Sequence, residues 1–267
     1  MKCGTTSLHY YLSLHPEIAM SREKELNFFI ADRNWPRGLD WYAENFSGPA
    51  IIHGESSPRY TNYPLESGVP ERMHEVVPDA KLIFLVRDPV ARLISHYIHW
   101  CALDREMHPL SEALADLDSN QYVVGSRYFF QLERYLRVYP KSQILIIASE
   151  ELRDRRGETL QSIFRFLGVA DTFDSPKFAR MRYRARDQRR KTRLGRLLSP
   201  VTHLGLVKRL PASLRWRVET LPYFPFARRV ERPTLDENLR QRLIEYFRDD
   251  VNQLRAFTGQ QFPDWCV

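Results

Sequence analysis

The chain has 267 residues, of which 43% are hydrophobic and 27% charged, proportions typical of a soluble globular protein with a substantial core. No apolar run approaches the roughly 18 residues of a membrane span, and no signal peptide precedes the first motif, so we expect a cytoplasmic protein. The three cysteines are too widely spaced for a disulfide framework, and no His/Cys cluster has metal-ligand spacing, so no metal is expected.

The net charge of +7 is concentrated in one segment. Residues 177–217 contain fourteen Lys and Arg against a single acid, Asp187. This basic segment is a solvated face, a lid over a bound ligand, or a surface that attracts an anionic acceptor or a membrane. No recognised nucleic-acid motif accompanies the charge, so nucleic acid is not an expected partner.

The N-terminal loop (residues 2–7) combines one basic residue, one glycine and three hydroxyl residues directly before an amphipathic helix. Such a loop can direct backbone N–H groups at an anion, with the positive end of the helix dipole behind them. The alternative is a frayed terminus whose threonines only cap the helix. The loop lacks the Gly-Lys-Ser/Thr ending of nucleotide triphosphatases, so ATP and GTP are not the first ligands expected.

The next predicted elements bring polar residues to the ends of strands. Residues 51–53 form a short apolar run that predicts a buried strand, and the strand leads into a loop containing Glu55. In open α/β sheets, ligands bind at the carboxyl ends of the strands. Before this strand, residues 35–46 predict an irregular connection that packs its aromatic side chains on the core.

A second strand is predicted at residues 81–86, a continuous apolar run typical of a strand covered on both faces. It follows a helix predicted at residues 70–77. Arg87 comes at the strand end, Asp88 and Pro89 suit the start of the next helix, and Ser95 lies two turns into that helix. Taken alone, Arg87 is a surface salt-bridge partner or a ligand contact.

The remaining elements complete an α/β pattern. Residues 103–120 predict a polar lid or loop with one helix. The elements after it are a helix at 128–139, a strand at 141–148, a helix at 159–167 ended by Gly168, and a last helix opened by the capping-box spacing of Thr234 and Glu237. Alternating strands and helices indicate a parallel, doubly wound sheet flanked by helices, and the lack of a linker predicts a single domain over residues 1–267.

Four stretches together resemble the sulfotransferases that use 3′-phosphoadenosine 5′-phosphosulfate (PAPS), especially the heparan-sulfate-type branch and its bacterial relatives. The first three are the N-terminal loop, the segment from Gly54 to Tyr60, and Arg87-Asp88-Pro89 with Arg92, Ser95 and Tyr97. The fourth runs from Tyr128 to Val169 and includes Glu-Glu-Leu and Phe-Leu-Gly. They cover about two thirds of the chain, and the resemblance implies a P-loop-type parallel sheet.

The resemblance implies the following roles. The 5′-phosphosulfate would be bound by Lys2, Cys3, Gly4, Thr5, Thr6 and Ser7, and the 3′-phosphate by Arg87 and Ser95. The basic segment would close over the co-substrate through Lys191 and Arg193. Lys2 would also be catalytic, by stabilising charge on the bridging oxygen as the phosphate leaves. The products would be a sulfate ester and adenosine 3′,5′-bisphosphate.

Glu55 is the expected general base, which takes a proton from the acceptor hydroxyl. His53 is the competing candidate, because cytosolic sulfotransferases use a histidine near this strand end. The Gly-Glu-x-x-Pro context favours Glu55, although strand alternation points both side chains the same way. Heparan-sulfate enzymes usually have a lysine directly after the glutamate, whereas this chain has Ser56. The acceptor is expected to be a carbohydrate, a glycolipid or another small metabolite.

A second departure is at the front of the chain. Family members have a buried strand before the N-terminal loop, so we expect the fold to lack its first strand here, and Met1 to be an internal methionine of a longer protein. Two other functions stay open. One is an inactive protein of the same fold that binds anionic partners through the basic segment. The other is a P-loop kinase, for which the Gly-Lys-Ser/Thr ending is missing.

Overall fold

The computed structural model describes residues 1–179, 189–191 and 227–267. In the described part, short strands alternate with helices, and two pairs of strands are parallel. The first pair is β1 (Ile18–Met20) and β2 (Ile52–Gly54), in which Ile18 lies opposite Ile52. The second pair is β3 (Leu82–Val86) and β4 (Ile144–Ala148). The α/β class with parallel pairing is therefore confirmed.

Ten helices are described around these strands. They are α1 (Thr5–Leu12), α2 (Gly38–Ala43), α3 (Val69–Val76), α4 (Pro89–Ala102), α5 (Leu110–Ala113), α6 (Gln121–Val124), α7 (Tyr128–Leu136), α8 (Ser149–Asp154), α9 (Arg156–Leu167) and α10 (Glu237–Thr258). A further antiparallel pair joins β5 (Arg189–Lys191) to β6 (Ala227–Arg229). None of the described helices is both long and apolar enough to cross a membrane.

The core is formed by apolar side chains from β3, β4 and the helices on either side. Fully buried members include Val86, Leu93, Ile163, Phe164 and Phe247. Helix α10 packs its buried stripe against α7, and Asp250 of α10 accepts hydrogen bonds from the backbone N–H groups of Phe129 (3.0 Å) and Phe130 (2.8 Å). The last helix therefore fixes the start of α7.

A gap separates the two parallel pairs. β2 and β3 are not hydrogen-bonded to each other, and a central cavity of about 480 Å³ is lined by residues of both strands and by Met1 and Cys3. Leu82, Ile83 and Phe84 are consequently only half-buried, so the expectation of a strand covered along its whole length is wrong for this part of β3.

Three local predictions need correction. β1 was not expected, because its three residues are too few to show a pattern; pairing with β2 defines it. Residues 35–46 are not irregular but form a 3₁₀ turn at Trp35–Arg37 followed by α2. Helix α10 is capped by Asp236, whose side chain accepts from the N–H of Leu239 at 2.7 Å, rather than by Thr234.

Candidate active site

The N-terminal loop turns sharply into α1. Lys2 and Gly4 both have left-handed backbone conformations, with φ of 70° and 93°. Gly4 is the N-cap of α1, and its carbonyl accepts from the N–H groups of Ser7 (3.0 Å) and Leu8 (3.1 Å). A glycine at this position allows the reversal without the steric cost of a Cβ. The turn places the positive end of α1 at the same place as the Lys2 side chain.

Arg87 reaches the same place from β3. It follows the last residue of the strand, and Asp88 caps α4 by accepting from the N–H of Ala91 at 2.6 Å. The Arg87 guanidinium donates to the carbonyl of Lys2 at 3.4 Å, and neighbouring Arg92 donates to the carbonyl of Met1 at 3.1 Å. Two arginines of this segment therefore hold the N-terminal loop against the start of α4.

These residues line one opening, the N-terminal cleft, with a volume of about 440 Å³. Its walls include all six residues of the N-terminal loop together with Arg87 and Ser95, as the resemblance implied. The opposite wall is formed by residues after β4: Ser149, Leu152, Arg153 and Arg156. Four cationic side chains and one carboxylate, Glu25, line the cleft, so it is suited to a multiply charged anion.

The electrostatics of Lys2 are set by burial and by two neighbouring arginines. Burial, followed by the positive charges of Arg87 and Arg92, lowers the pKa of the Lys2 ammonium to about 8. An anion bound in the N-terminal cleft would offset both causes, because it supplies the opposite charge and favours the ammonium form. The site is thus prepared for negative charge.

Glu55 follows β2 in the next cavity. It lines the central cavity, which shares Met1, Cys3, Thr5 and Pro58 with the N-terminal cleft, so the two openings are adjacent. Its carboxylate accepts hydrogen bonds from three hydroxyl groups: Tyr60 at 2.7 Å, Ser57 at 2.8 Å and Tyr42 at 3.2 Å. Burial raises the pKa of the Glu55 carboxyl, although the three donors oppose the increase. A held carboxylate with a raised pKa is suited to accept a proton.

His53 has different surroundings. Its side chain is exposed, and its Nε2 lies 3.3 Å from the carbonyl of Gly48. No hydroxyl or carboxylate of the described residues orients its ring. Ser56, which replaces the usual lysine, pairs instead with Nδ1 of His9 at 3.1 Å.

Two residues expected to bind the co-substrate are in the basic segment. Lys191 ends β5, but its side chain lies outside the described residues, as does Arg193. Their contact with a co-substrate stays a prediction. Most of the basic segment also lies outside the described residues, so its role as a lid or surface and the single-domain assignment stay predictions too. Within the described residues, no group of three His, Cys, Asp or Glu side chains could hold a metal ion.

Sequence reasoning missed the wall of the cleft formed by α8 and α9. Arg156 donates to the carbonyl of Phe178 at 2.7 Å, and its guanidinium lies 5.3 Å from the ring centroid of Tyr11. Ser149 directly follows β4, at the strand edge where ligands of α/β proteins bind. The end of β4 could therefore have been predicted to contribute to the cleft by the same reasoning that pointed to Arg87 at the end of β3.

Comparisons with known proteins agree with this geometry. The sulfotransferase domain family matches residues 1–189. Human bifunctional heparan sulfate N-deacetylase/N-sulfotransferase 2 is 30% identical over an alignment of 188 residues, and the match covers 63% of this chain and 21% of that protein. Mouse heparan sulfate glucosamine 3-O-sulfotransferase 5 is 31% identical over an alignment of 181 residues, and the match covers 63% of this chain and 51% of that protein. The chain therefore spans between about a fifth and a half of these curated relatives.

A solved structure has the same fold. The crystal structure of a sulfotransferase from Alicyclobacillus acidocaldarius matches 100% of this chain and 95% of its own, with a TM-score of 0.71 and 25% sequence identity. The family match covers well over half of the chain. This chain belongs to the sulfotransferase domain family, and the recognition made from its motifs is confirmed.

Proposed function

We propose that the protein transfers the sulfuryl group from PAPS to an acceptor on a carbohydrate. One observation carries the proposal: the N-terminal loop, Arg87 and Ser95 line a single cationic cleft, and Glu55 lies in the adjacent cavity. The loop would hold the 5′-phosphosulfate, and Arg87 with Ser95 the 3′-phosphate. PAPS fits the chemistry of the cleft, because a ligand with several negative charges matches its excess of cations.

The residues have distinct roles in the proposed reaction. Sulfuryl transfer resembles phosphoryl transfer, in which in-line positioning and charge stabilisation matter most. A bond forms between the acceptor atom and sulfur while the bond from sulfur to the bridging phosphate oxygen breaks. The Lys2 ammonium stabilises the charge left on that oxygen, and the Glu55 carboxylate takes the proton from the acceptor. The bisphosphate product then leaves.

The acceptor class is inferred from relatives. The names of the curated relatives specify heparan sulfate and include both N- and O-sulfotransferases. We therefore place the acceptor among sugar hydroxyl or amino groups, with a hydroxyl as the first choice. A cytoplasmic location is part of the proposal and rests on the sequence alone.

Ligand-dependent melting tests the proposed site. A ligand that binds only the native state raises the melting temperature, and at 100 times its Kd it adds about 2.7 kcal/mol of stability. We expect adenosine 3′,5′-bisphosphate to raise the melting temperature more than 5′-AMP or ATP does. A larger shift with ATP would favour the kinase alternative, and equal shifts with all three nucleotides would contradict a site for the 3′-phosphate.

A further inference from the structure

A buried hydroxyl group links the two anion-binding parts of the N-terminal cleft. Tyr128, the first residue of α7, is 2% exposed, and its phenolic oxygen accepts from the backbone N–H of Arg87 at 3.2 Å. The same oxygen lies 3.6 Å from the Sγ of Cys3 in the N-terminal loop. One side chain thus contacts the loop assigned to the 5′-phosphosulfate and the residue assigned to the 3′-phosphate.

The hydrogen bonds form a consistent chain. The Arg87 N–H must donate to Tyr128, which leaves the phenolic O–H available to donate to the sulfur of Cys3. The Cys3 thiol in turn donates to the carbonyl of Met1 at 3.6 Å. In this order each hydrogen donates to one acceptor. Burial raises the pKa of the Tyr128 phenol, so the phenol keeps the proton that it donates to Cys3.

Tyr128 is itself held from several sides. Asp250 accepts from the N–H groups of the next two residues and fixes the start of α7. The ring packs edge-on against Phe84 at 6.0 Å and contacts Trp265 at 5.9 Å between centroids. A hydroxyl carried by such a rigid ring can set the distance between its two partners at little entropic cost.

We propose that Tyr128 is a positioning residue that couples the N-terminal loop to Arg87, so that both phosphates of one nucleotide are bound together. The inference rests on the proposed function. Tyr128 does not line the N-terminal cleft, so it acts on the nucleotide site through the backbone of Arg87 and the side chain of Cys3. Without its hydroxyl, the contacts of Arg87 and Arg92 with the carbonyls of Lys2 and Met1 remain, but the link through Cys3 that sets the spacing of the two motifs is lost.

The test compares two ligands in Tyr128→Phe, which keeps the ring and removes the hydroxyl. Adenosine 3′,5′-bisphosphate needs both motifs at once, whereas 5′-AMP needs the N-terminal loop alone. The readout is the ratio of the two Kd values, measured by titration calorimetry. We expect the preference for the bisphosphate to fall about tenfold, which corresponds to about 1.4 kcal/mol.

Tyr139→Phe is the matched control. Tyr139 is 1% exposed, and its hydroxyl donates to the carbonyl of Val77 at 3.0 Å, away from the residues that line the N-terminal cleft. Its loss should lower the melting temperature of the unliganded protein but leave the Kd ratio unchanged. An unchanged ratio in Tyr128→Phe would overturn the inference alone. A wild-type protein without any preference for the bisphosphate would overturn the proposed function and this inference with it.

Hydrogen exchange supplies a second measurement that does not depend on the variant folding. In the unliganded wild-type protein, the Arg87 amide should be protected, because the Tyr128 oxygen accepts its hydrogen bond. Protection at Arg87 supports the link, and exchange at the rate of an open loop would refute it.

Discussion

At the residue scale, Glu55 and His53 are two residues apart but have different surroundings. Three hydroxyl groups hold the Glu55 carboxylate, whereas His53 is exposed and bonded to a loop carbonyl. We expect Glu55→Gln to lower turnover about 10²–10⁴-fold, the usual contribution of a general base, while bisphosphate binding is kept. Initial rates and calorimetry on the same preparation measure both quantities.

The matched variant is His53→Gln, which changes a second residue of the central cavity. We expect turnover within about twofold of wild type, because the exposed ring of His53 bonds only to a loop carbonyl among the described residues. The opposite result, with turnover lost in His53→Gln and kept in Glu55→Gln, would assign the base role to the histidine. Retained turnover in both variants would show that neither residue is the general base.

The pH dependence follows from Lys2 and Glu55. Glu55 must be ionised to act as base, so activity should fall as the pH falls through its raised pKa. Lys2 must be protonated, so activity should also fall as the pH rises through about 8. The kcat/KM profile of the free enzyme is therefore expected to be bell-shaped.

Lys2→Arg isolates the alkaline side of that profile, because a guanidinium stays charged throughout the range. The alkaline decline should move to higher pH in this variant, even if its maximum is lower. A decline that stays at the same pH would show that another group causes it.

Sequence reasoning found the residues that follow strands directly and missed those that act across the fold. Glu55 and Arg87 directly follow β2 and β3, and Lys2 stands in a short loop motif before α1, so all three could be singled out from local patterns. Tyr128 and Arg156 come from helices distant in sequence. Their contacts with the N-terminal loop and with Tyr11 depend on tertiary packing, which no local pattern records.

At the element scale, the turn into α1 depends on Gly4. A Cβ at Gly4 would meet only Leu152, at 4.0 Å, so space is available; the left-handed backbone is the obstacle. This conformation costs an L-residue about 1–2 kcal/mol, so Gly4→Ala should weaken bisphosphate binding by roughly 5- to 30-fold. Gly157→Ala is the control, since a Cβ there meets nothing within 4 Å and its φ is not left-handed. Equal affinities in the two variants would contradict this role of Gly4.

The start of α4 is stabilised from two directions. Asp88 accepts from the N–H of Ala91 at 2.6 Å and from the N–H of Cys266 at 2.7 Å. Asp88→Ala should therefore cost about 2–3 kcal/mol, because it removes a helix cap and leaves a second N–H unpaired. Asp236→Ala, which removes only the cap of α10, should cost about 1 kcal/mol. Denaturant unfolding measures both, and equal losses would show that the bond to Cys266 adds nothing.

Elements with a strong pattern were predictable, and those defined by pairing were not. The apolar runs of β3 and β4 and the terminal glycine of α9 are visible in the sequence, and Gly168 has the left-handed conformation expected of a C-cap. β1 has three residues and gains its identity from β2. Helix α2 follows a 3₁₀ turn, which the proline and glycine of that segment concealed.

At the scale of the whole molecule, two parallel pairs of strands flank the central cavity, and the N-terminal loop borders it. The order of strands and helices, and with it the family, could be read from the sequence because the motifs containing Glu55 and Arg87 directly follow their strands. The gap between β2 and β3 could not, since only tertiary structure shows which strand edges pair. Because residues of the N-terminal loop line both the central cavity and the N-terminal cleft, Glu55 in the cavity lies next to the cleft.

The measurement that tests the account most directly is acceptor-dependent release of adenosine 3′,5′-bisphosphate from PAPS. Purified protein would be incubated with PAPS and desulfated or partly sulfated glucosamine-containing oligosaccharides, and both products would be quantified by mass spectrometry. The account predicts one bisphosphate for each sulfuryl group found on the sugar, and about 10²–10⁴-fold slower transfer by Glu55→Gln. Tight binding of the bisphosphate together with no transfer to any hydroxyl or amino acceptor would contradict it and favour a binding protein of the same fold.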